Sequence, residues 1–244
     1  MMTLEDIKNS LKRELNAFEI DVFFNYLNLI DEFENSQYNV VIKIVNGELQ
    51  PPVLQLKQEY RFFVDSPYIN KRYKYLKLNQ LDLVEERILD YLQKWQDLYS
   101  KDMDNSLYIF GAIGVGKTSI AISLFNEFKS RNKYYISMTD LYFRVKESWK
   151  QDSYVSESNI IDEMKQYDLL VIDDLGSTTT KDESFIWNII FQIVEYRYSN
   201  YLTTVYTSNL KLDEFGSINC RIADRIKGSL WNKKAIEIKG SSNR

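Results

Sequence analysis

Apolar residues at the start of the chain recur at helical spacing. Leu4, Ile7, Leu11 and Leu15 line up on one face, and Thr3 with Asp6 has the form of a capping box, so a first helix is predicted there. Ile20, Phe23, Leu27 and Ile30 predict a second. Residues 39–45 then read as a strand and Asn46-Gly47 as a tight turn, and Pro51 and Pro52 make any returning strand irregular. Residues 1–65 are expected to form a small, mostly helical N-terminal domain, followed by a second domain over 66–244. A longer helix is predicted from Asp82, with Glu85 three residues after the cap and Val84, Ile88, Tyr91, Trp95 and Leu98 on one side.

Beyond that helix the pattern changes to short apolar runs at 107–110, 134–136, 169–172, 202–206 and 235–238. Most of the gaps between them are long enough for a helical crossover. The predicted fold class is α/β, a parallel sheet flanked by helices.

Composition narrows the chemistry. No apolar run approaches the roughly 20 residues that span a bilayer, and the first residues lack the apolar core of a secretory signal, so a cytoplasmic protein without a membrane is expected. With no histidine and a single cysteine, Cys220, the chain builds neither a Cys/His zinc site nor a histidine-based nucleophile pair. The net charge of -4 gives no global attraction to nucleic acid. The ends differ, however: residues 1–34 carry eight acids and three bases, and residues 221–244 carry seven bases and two acids.

Residues 111–118, Gly111-Ala112-Ile113-Gly114-Val115-Gly116-Lys117-Thr118, satisfy the GxxxxGK[ST] pattern between an apolar run and a helix-forming stretch that opens at Ser119. The glycines let backbone N–H groups turn inward onto phosphate oxygens, and the helix adds the positive end of its dipole. Lys117 then neutralises the β- and γ-phosphates of ATP, and Thr118 offers its hydroxyl to Mg2+. The run DLLVIDD supplies the carboxylates that such a site requires. Asp173 is expected to hold the magnesium, directly or through water, and Asp174 to orient or deprotonate the attacking water. Asn209 closes another apolar strand, where its amide reaches the γ-phosphate or its water. Arg221 and Arg225, four residues apart, share one helical face, either as cations aimed at a phosphate or as surface ion pairs with acids such as Asp224.

In order and spacing, LYIFGAIGVGKTS, SMTDLYFRVKESW, VIDDLGS, TSNL, RIADRI and IKGSSNR resemble the DnaC/DnaI/IstB group of AAA+ ATPases: bacterial and phage replicative-helicase loaders and transposition helper ATPases. The resemblance covers about residues 66–244. It implies a P-loop AAA+ core that hydrolyses ATP to ADP and phosphate and assembles into homo-oligomers on ATP binding, often on single-stranded DNA. It also implies an N-terminal domain that grips a DnaB-type hexameric helicase. Within it, Asn209 takes the sensor 1 position, Arg225 that of an arginine finger reaching a neighbour's ATP, and Arg221 that of its helper. The segment 139–149 falls where an extra helix lines the DNA path, with Arg144, Lys146 and Lys150 available for phosphates and Phe143 or Trp149 for stacking. Glutamate is more usual than Asp174 at its position, which implies slow turnover stimulated by oligomerisation or single-stranded DNA. Too few residues follow the last strand for a C-terminal lid, which disfavours a DnaA-like initiator and leaves Arg244 as a terminal arginine near the phosphates. The alternatives are an IstB-like transposition helper, a nucleotide-switched adaptor with little turnover, and a non-assembling P-loop kinase.

Overall fold

The computed structural model describes residues 3–33, 38–45, 47–56, 67–81, 84–99, 103–130, 132–150, 153–177 and 184–240. Asn46 of the expected turn, the expected cap Asp82, and Arg244 with the rest of the closing SSNR lie outside them.

The N-terminal residues form the two expected helices, with more strand than the periodicity indicates. Helix α1 (Leu4–Leu11) opens on the Thr3/Asp6 capping box and stops at Lys12, whose left-handed backbone ends the helix before Leu15. Helix α2 (Ala17–Phe33) buries Val22, Phe23, Tyr26 and Leu29, a face rotated from the predicted one; Ile20 is exposed. The expected single strand over 39–45 is broken into β1 (Tyr38–Val41) and β2 (Ile44–Val45). Strand β2 pairs antiparallel with β3 (Glu48–Leu49), Val45 opposite Glu48, and β1 pairs with β4 (Val53–Leu56). The two prolines precede β4, which therefore keeps a regular register, Val41 opposite Val53 to Tyr38 opposite Leu56. The buried apolar cluster of this region is built on Ile7, Phe23, Tyr26, Ile42 and Leu49, and its members among the described residues come from residues 4–49. Glu19 ties its helix to the hairpin. Its buried carboxylate accepts both Arg13 guanidinium arms at 2.7 Å and the Leu49 N–H at 3.3 Å, and the Arg13 bonds above all hold its pKa down at about 2.

After short 3-10 turns at Lys71–Tyr73 and Leu78–Gln80, helix α3 runs over Glu86–Asp97. It starts later than the pattern suggests, with Glu85 as its N-cap, and buries Ile88, Leu92 and Trp95; Leu98 is its exposed C-cap. The alternation that follows is β5 (Leu107–Gly111), α4 (Lys117–Glu127), β6 (Lys133–Ser137), α5 (Met138–Ser148), α6 (Glu157–Gln166) and β7 (Leu169–Asp173). Then come α7 (Ser184–Ser199), β8 (Thr203–Ser208), α8 (Leu212–Ile218), α9 (Cys220–Ser229) and β9 (Ile236–Ile238).

The five core strands form one parallel sheet in the order β6-β7-β8-β5-β9. Its faces are separated by the strand period. On β7, Leu169 and Val171 join the cluster under α3 and α4, whereas Leu170 and Ile172 join the one under α5, α6, α7 and α9. Both faces being covered, β7 is buried throughout, which is why it reads as an unbroken apolar run. No helix among the described residues is long and apolar enough to cross a membrane. The strand order matters for chemistry, because β8 lies between β5 and β7 and brings three carboxyl-terminal strand ends side by side.

Candidate nucleotide-binding site

The loop after β5 has the backbone that a phosphate cradle requires. Gly114 and Gly116 hold φ of 86° and 95° in the left-handed region, and Gly116 caps α4 without a side chain, so the helix opens with uncovered N–H groups. Gly111 is needed for another reason. A Cβ there would collide with the Ile238 carbonyl of β9, its parallel neighbour in the sheet. Lys117 is almost fully buried and donates to the carbonyls of Gly111 at 2.8 Å and Ala112 at 2.7 Å, folded onto its own loop.

Asp173 ends β7 and faces Thr118 directly, with Thr118 Oγ1 at 3.0 and 3.2 Å from its carboxylate oxygens. The Tyr135 hydroxyl donates to Oδ2 at 2.7 Å from β6, and the Thr207 hydroxyl to Oδ1 at 2.5 Å from β8. Burial raises the Asp173 pKa, and the bonds from Thr207, Tyr135 and Thr118 oppose the rise. Burial, and next the Asp173 carboxylate, push Tyr135 far above its ordinary value, so it remains a donor. Asp174 sits at φ 59°, and its N–H donates to Thr207 Oγ1 at 2.8 Å. Its carboxylate receives the Asn209 amide at 3.1 Å. Lys117, Thr118, Asp173, Asp174 and Asn209 thus converge on one open cleft of about 980 Å³, which Ile113, Gly114, Val115, Gly116 and Ser119 also line.

The far wall of the cleft is formed by Arg72, Tyr73, Leu76, Gln80 and Leu81, residues that sequence reasoning left unassigned, and by Val84, which it read only as a helix residue. Their mixed, non-periodic pattern carries no local signal. Tyr135 was likewise read only as a strand residue, since its role arises from the lateral pairing of Ser137 with Asp173 and Tyr135 with Val171.

The arginines are placed differently. Arg225 does not line the cleft of its own chain; it pairs with Glu195 at 2.5 Å and Asp224 at 2.7 Å, and Arg221 lies 3.9 Å over the Phe191 ring. The expected helix over 139–149 is α5, but its cations are not equally presented. Arg144 turns inward to Glu163 at 2.5 Å and Tyr134 at 3.0 Å, so it is not available to a phosphate, in contrast to the sequence expectation. Burial beside a carboxylate and two tyrosines favours the ion pair over solvent. Lys146 lies 4.8 Å over the Tyr142 ring, and Lys150 is largely exposed beside Glu147. Phe143 is exposed, and Trp149, half exposed, packs edge-on against Phe185.

A parallel sheet with a glycine-rich phosphate loop after one strand, a buried aspartate ending a second and a polar amide just after the strand between them defines a P-loop AAA+ ATP-binding core. The chain belongs to the family of IstB-like ATP binding proteins, whose model matches residues 71–244. It is 32% identical over 142 residues to the replicative helicase loader DnaC of Escherichia coli (strain K12), a match covering 54% of this chain and 56% of DnaC. It is also 27% identical over 237 residues to the chromosomal replication initiator protein DnaA of Ureaplasma parvum serovar 3, covering 89% of this chain and 50% of DnaA. Likeness to an initiator therefore runs along most of this chain but over only half of DnaA. The chain spans about half the length of these curated relatives. In fold it matches the crystal structure of DnaI with a TM-score of 0.58 at 22% identity, over 72% of this chain and 95% of that one.

Proposed function

We propose that this chain is an ATP-dependent loader of a hexameric, DnaB-type replicative helicase onto DNA. The observation that carries the ATPase part is the continuous chain of contacts from Thr118 through Asp173, Thr207 and Asp174 to Asn209 along the floor of the cleft. ATP would lie with its triphosphate on the Gly111–Thr118 loop and its base toward the Arg72–Val84 wall. The donor set at the base fits Mg2+: a hydroxyl and a carboxylate, both hard oxygen ligands, already face each other at 3.0 Å. When bound there, the metal would offset the charge of the β- and γ-phosphates. Lys117 would leave its loop carbonyls for the phosphate oxygens, and Asp174, oriented by Asn209, would hold the water in line.

Arg225 supports a shared site. It lies outside its own cleft, so its contact with a triphosphate would be to that of an adjacent copy, after exchange of Glu195 and Asp224 for phosphate. Arg221, stacked on Phe191, would brace it. Single-stranded DNA would meet α5 through Lys146 and Lys150, with Arg144 holding the helix in place. The N-terminal residues would grip the helicase, and Phe18 and Phe24, 64% and 56% exposed on α2, offer an apolar contact there. Loading is favoured by the likeness to DnaC; a transposition helper is the second reading, favoured by the IstB-like family model. Co-purification of the full chain with a hexameric helicase, with ATP-dependent transfer of that helicase to single-stranded circles, is the expected result. Capture of a transposase and no helicase would favour the second reading.

A further inference from the structure

The cleft has two ends built by different means, and they are connected through a single helix. Its phosphate end is the N-terminus of α4. Its opposite wall is a short, irregular segment that includes Tyr73, Leu76, Gln80 and Leu81 and has no sheet or long helix to hold it in shape. Besides its own turn hydrogen bonds and the burial of Leu78 in the core, the last turn of the same α4 holds it from the side. The Asn126 amide donates to two backbone carbonyls of the segment, Leu76 at 2.9 Å and Tyr73 at 3.3 Å, and the neighbouring Glu127 carboxylate accepts the Leu78 N–H at 2.9 Å. Neither Asn126 nor Glu127 lines the cleft. Glu127 satisfies the Leu78 N–H and Asn126 the Leu76 carbonyl, while the Tyr73 carbonyl, which also accepts the Leu76 N–H at 3.1 Å, takes Asn126 as a second donor.

We infer that Asn126, assisted by Glu127, is a positioning residue for the base end of the nucleotide site, fixing the Tyr73–Leu81 wall against the helix that carries the phosphate loop. Helix α4 then acts as a ruler. Its first turn sets where the phosphates lie, and its last turn sets where the base must lie, so the separation of the two subsites is fixed by one rigid element of 11 residues. The inference rests on the reading of the cleft as an ATP site, and it assigns the base contribution to residues that never touch the ligand.

The test separates the two ends with two ligands. Affinities of ATP and of inorganic tripolyphosphate are measured by calorimetry for the wild type, Asn126→Asp and Glu127→Ala, together with kcat and KM for ATP. Asn126→Asp keeps the side chain's shape but replaces the donor with an acceptor that faces two carbonyls, and Glu127→Ala removes the acceptor of the Leu78 N–H at an exposed position. Loss of the two hydrogen bonds is expected to raise the Kd and KM for ATP about tenfold in Asn126→Asp, and about threefold in Glu127→Ala. Tripolyphosphate affinity and kcat at saturating ATP should stay within about twofold of wild type. Unchanged ATP affinity in both variants overturns the inference, and so does an equal loss for both ligands, which would mark a general loosening of α4. A wild type that binds tripolyphosphate as tightly as ATP overturns it too. A wild type that binds neither ligand refutes the nucleotide reading itself.

Discussion

Asn209 donates its side-chain amide to the Asp174 carboxylate across 3.1 Å, joining the residue after β8 to the residue after β7. Asp174 holds a left-handed backbone, and its N–H is bonded to Thr207 Oγ1, so its carboxylate is oriented from two points on the neighbouring strand end. Asn209→Ala removes one of them. ATP binding should persist, and turnover should fall about 100-fold if Asp174 handles the attacking water. Nucleotide binding and phosphate release, measured on the same preparation, check this. Asp174→Asn with unchanged turnover and unchanged loading would instead identify a nucleotide switch.

Lys117→Ala should abolish ATP binding. In the free protein its ammonium is held by two loop carbonyls, so the substitution also leaves the Gly111 and Ala112 carbonyls short of a donor. Titration with a fluorescent ATP analogue is the measurement, and an affinity within threefold of wild type would remove the lysine from the phosphate site.

Arg225→Ala should keep ATP binding and lose both turnover and ATP-dependent assembly. Its present partners, Glu195 and Asp224, lie at the surface, and the thermal midpoint is expected to stay near wild type. Mixing Arg225→Ala with an Asp173→Asn variant should restore part of the turnover, because one mixed interface then combines an intact cleft with an intact arginine. No recovery on mixing would count against a cation donated between copies.

Arg144→Ala should destabilise the fold before it affects nucleic-acid binding. It leaves Glu163 partly buried without its cation, a loss expected to reach about 3 kcal/mol. Lys146→Ala with Lys150→Ala should do the reverse, leaving the thermal midpoint near wild type while weakening single-strand binding and flattening its salt dependence. Melting curves and fluorescence anisotropy at several salt concentrations separate the two.

Acid should loosen the N-terminal residues through Glu19. Its folded pKa of about 2 lies below the ordinary 4.5, so its contribution is fully present above about pH 4.5 and is lost as pH falls toward about 2. Arg13→Ala should weaken that pH dependence, leaving the part carried by the Asn16 and Leu49 backbone N–H groups. Amide exchange at Leu49, whose N–H bonds to Glu19, reports it locally.

Much of the site was legible along the chain because it is built from local requirements. The Gly111–Thr118 loop needs glycines at fixed offsets, and Asp173 and Asn209 each end an apolar run, where a parallel sheet gathers its functional groups. The core strands were readable from runs that are largely apolar, most clearly residues 169–172 of β7, which is buried on both faces. Local periodicity served less well in the N-terminal residues, where the left-handed cap at Lys12 and the break between β1 and β2 end elements that the apolar spacing would extend.

The sequence by itself determined the phosphate chemistry and the alternation of strands and helices, since both depend on residue types within a few positions of one another. Only the tertiary structure decided which charges remained available for function. Arg144 and Arg225 look alike in the chain, yet one is held inside by Glu163 and Tyr134 and the other lies at the surface by Glu195. Strand order likewise decided that Tyr135 and Thr207 would hold Asp173 from both sides. Such pairings join residues far apart in sequence, and what selects them is the packing of whole elements rather than any local preference.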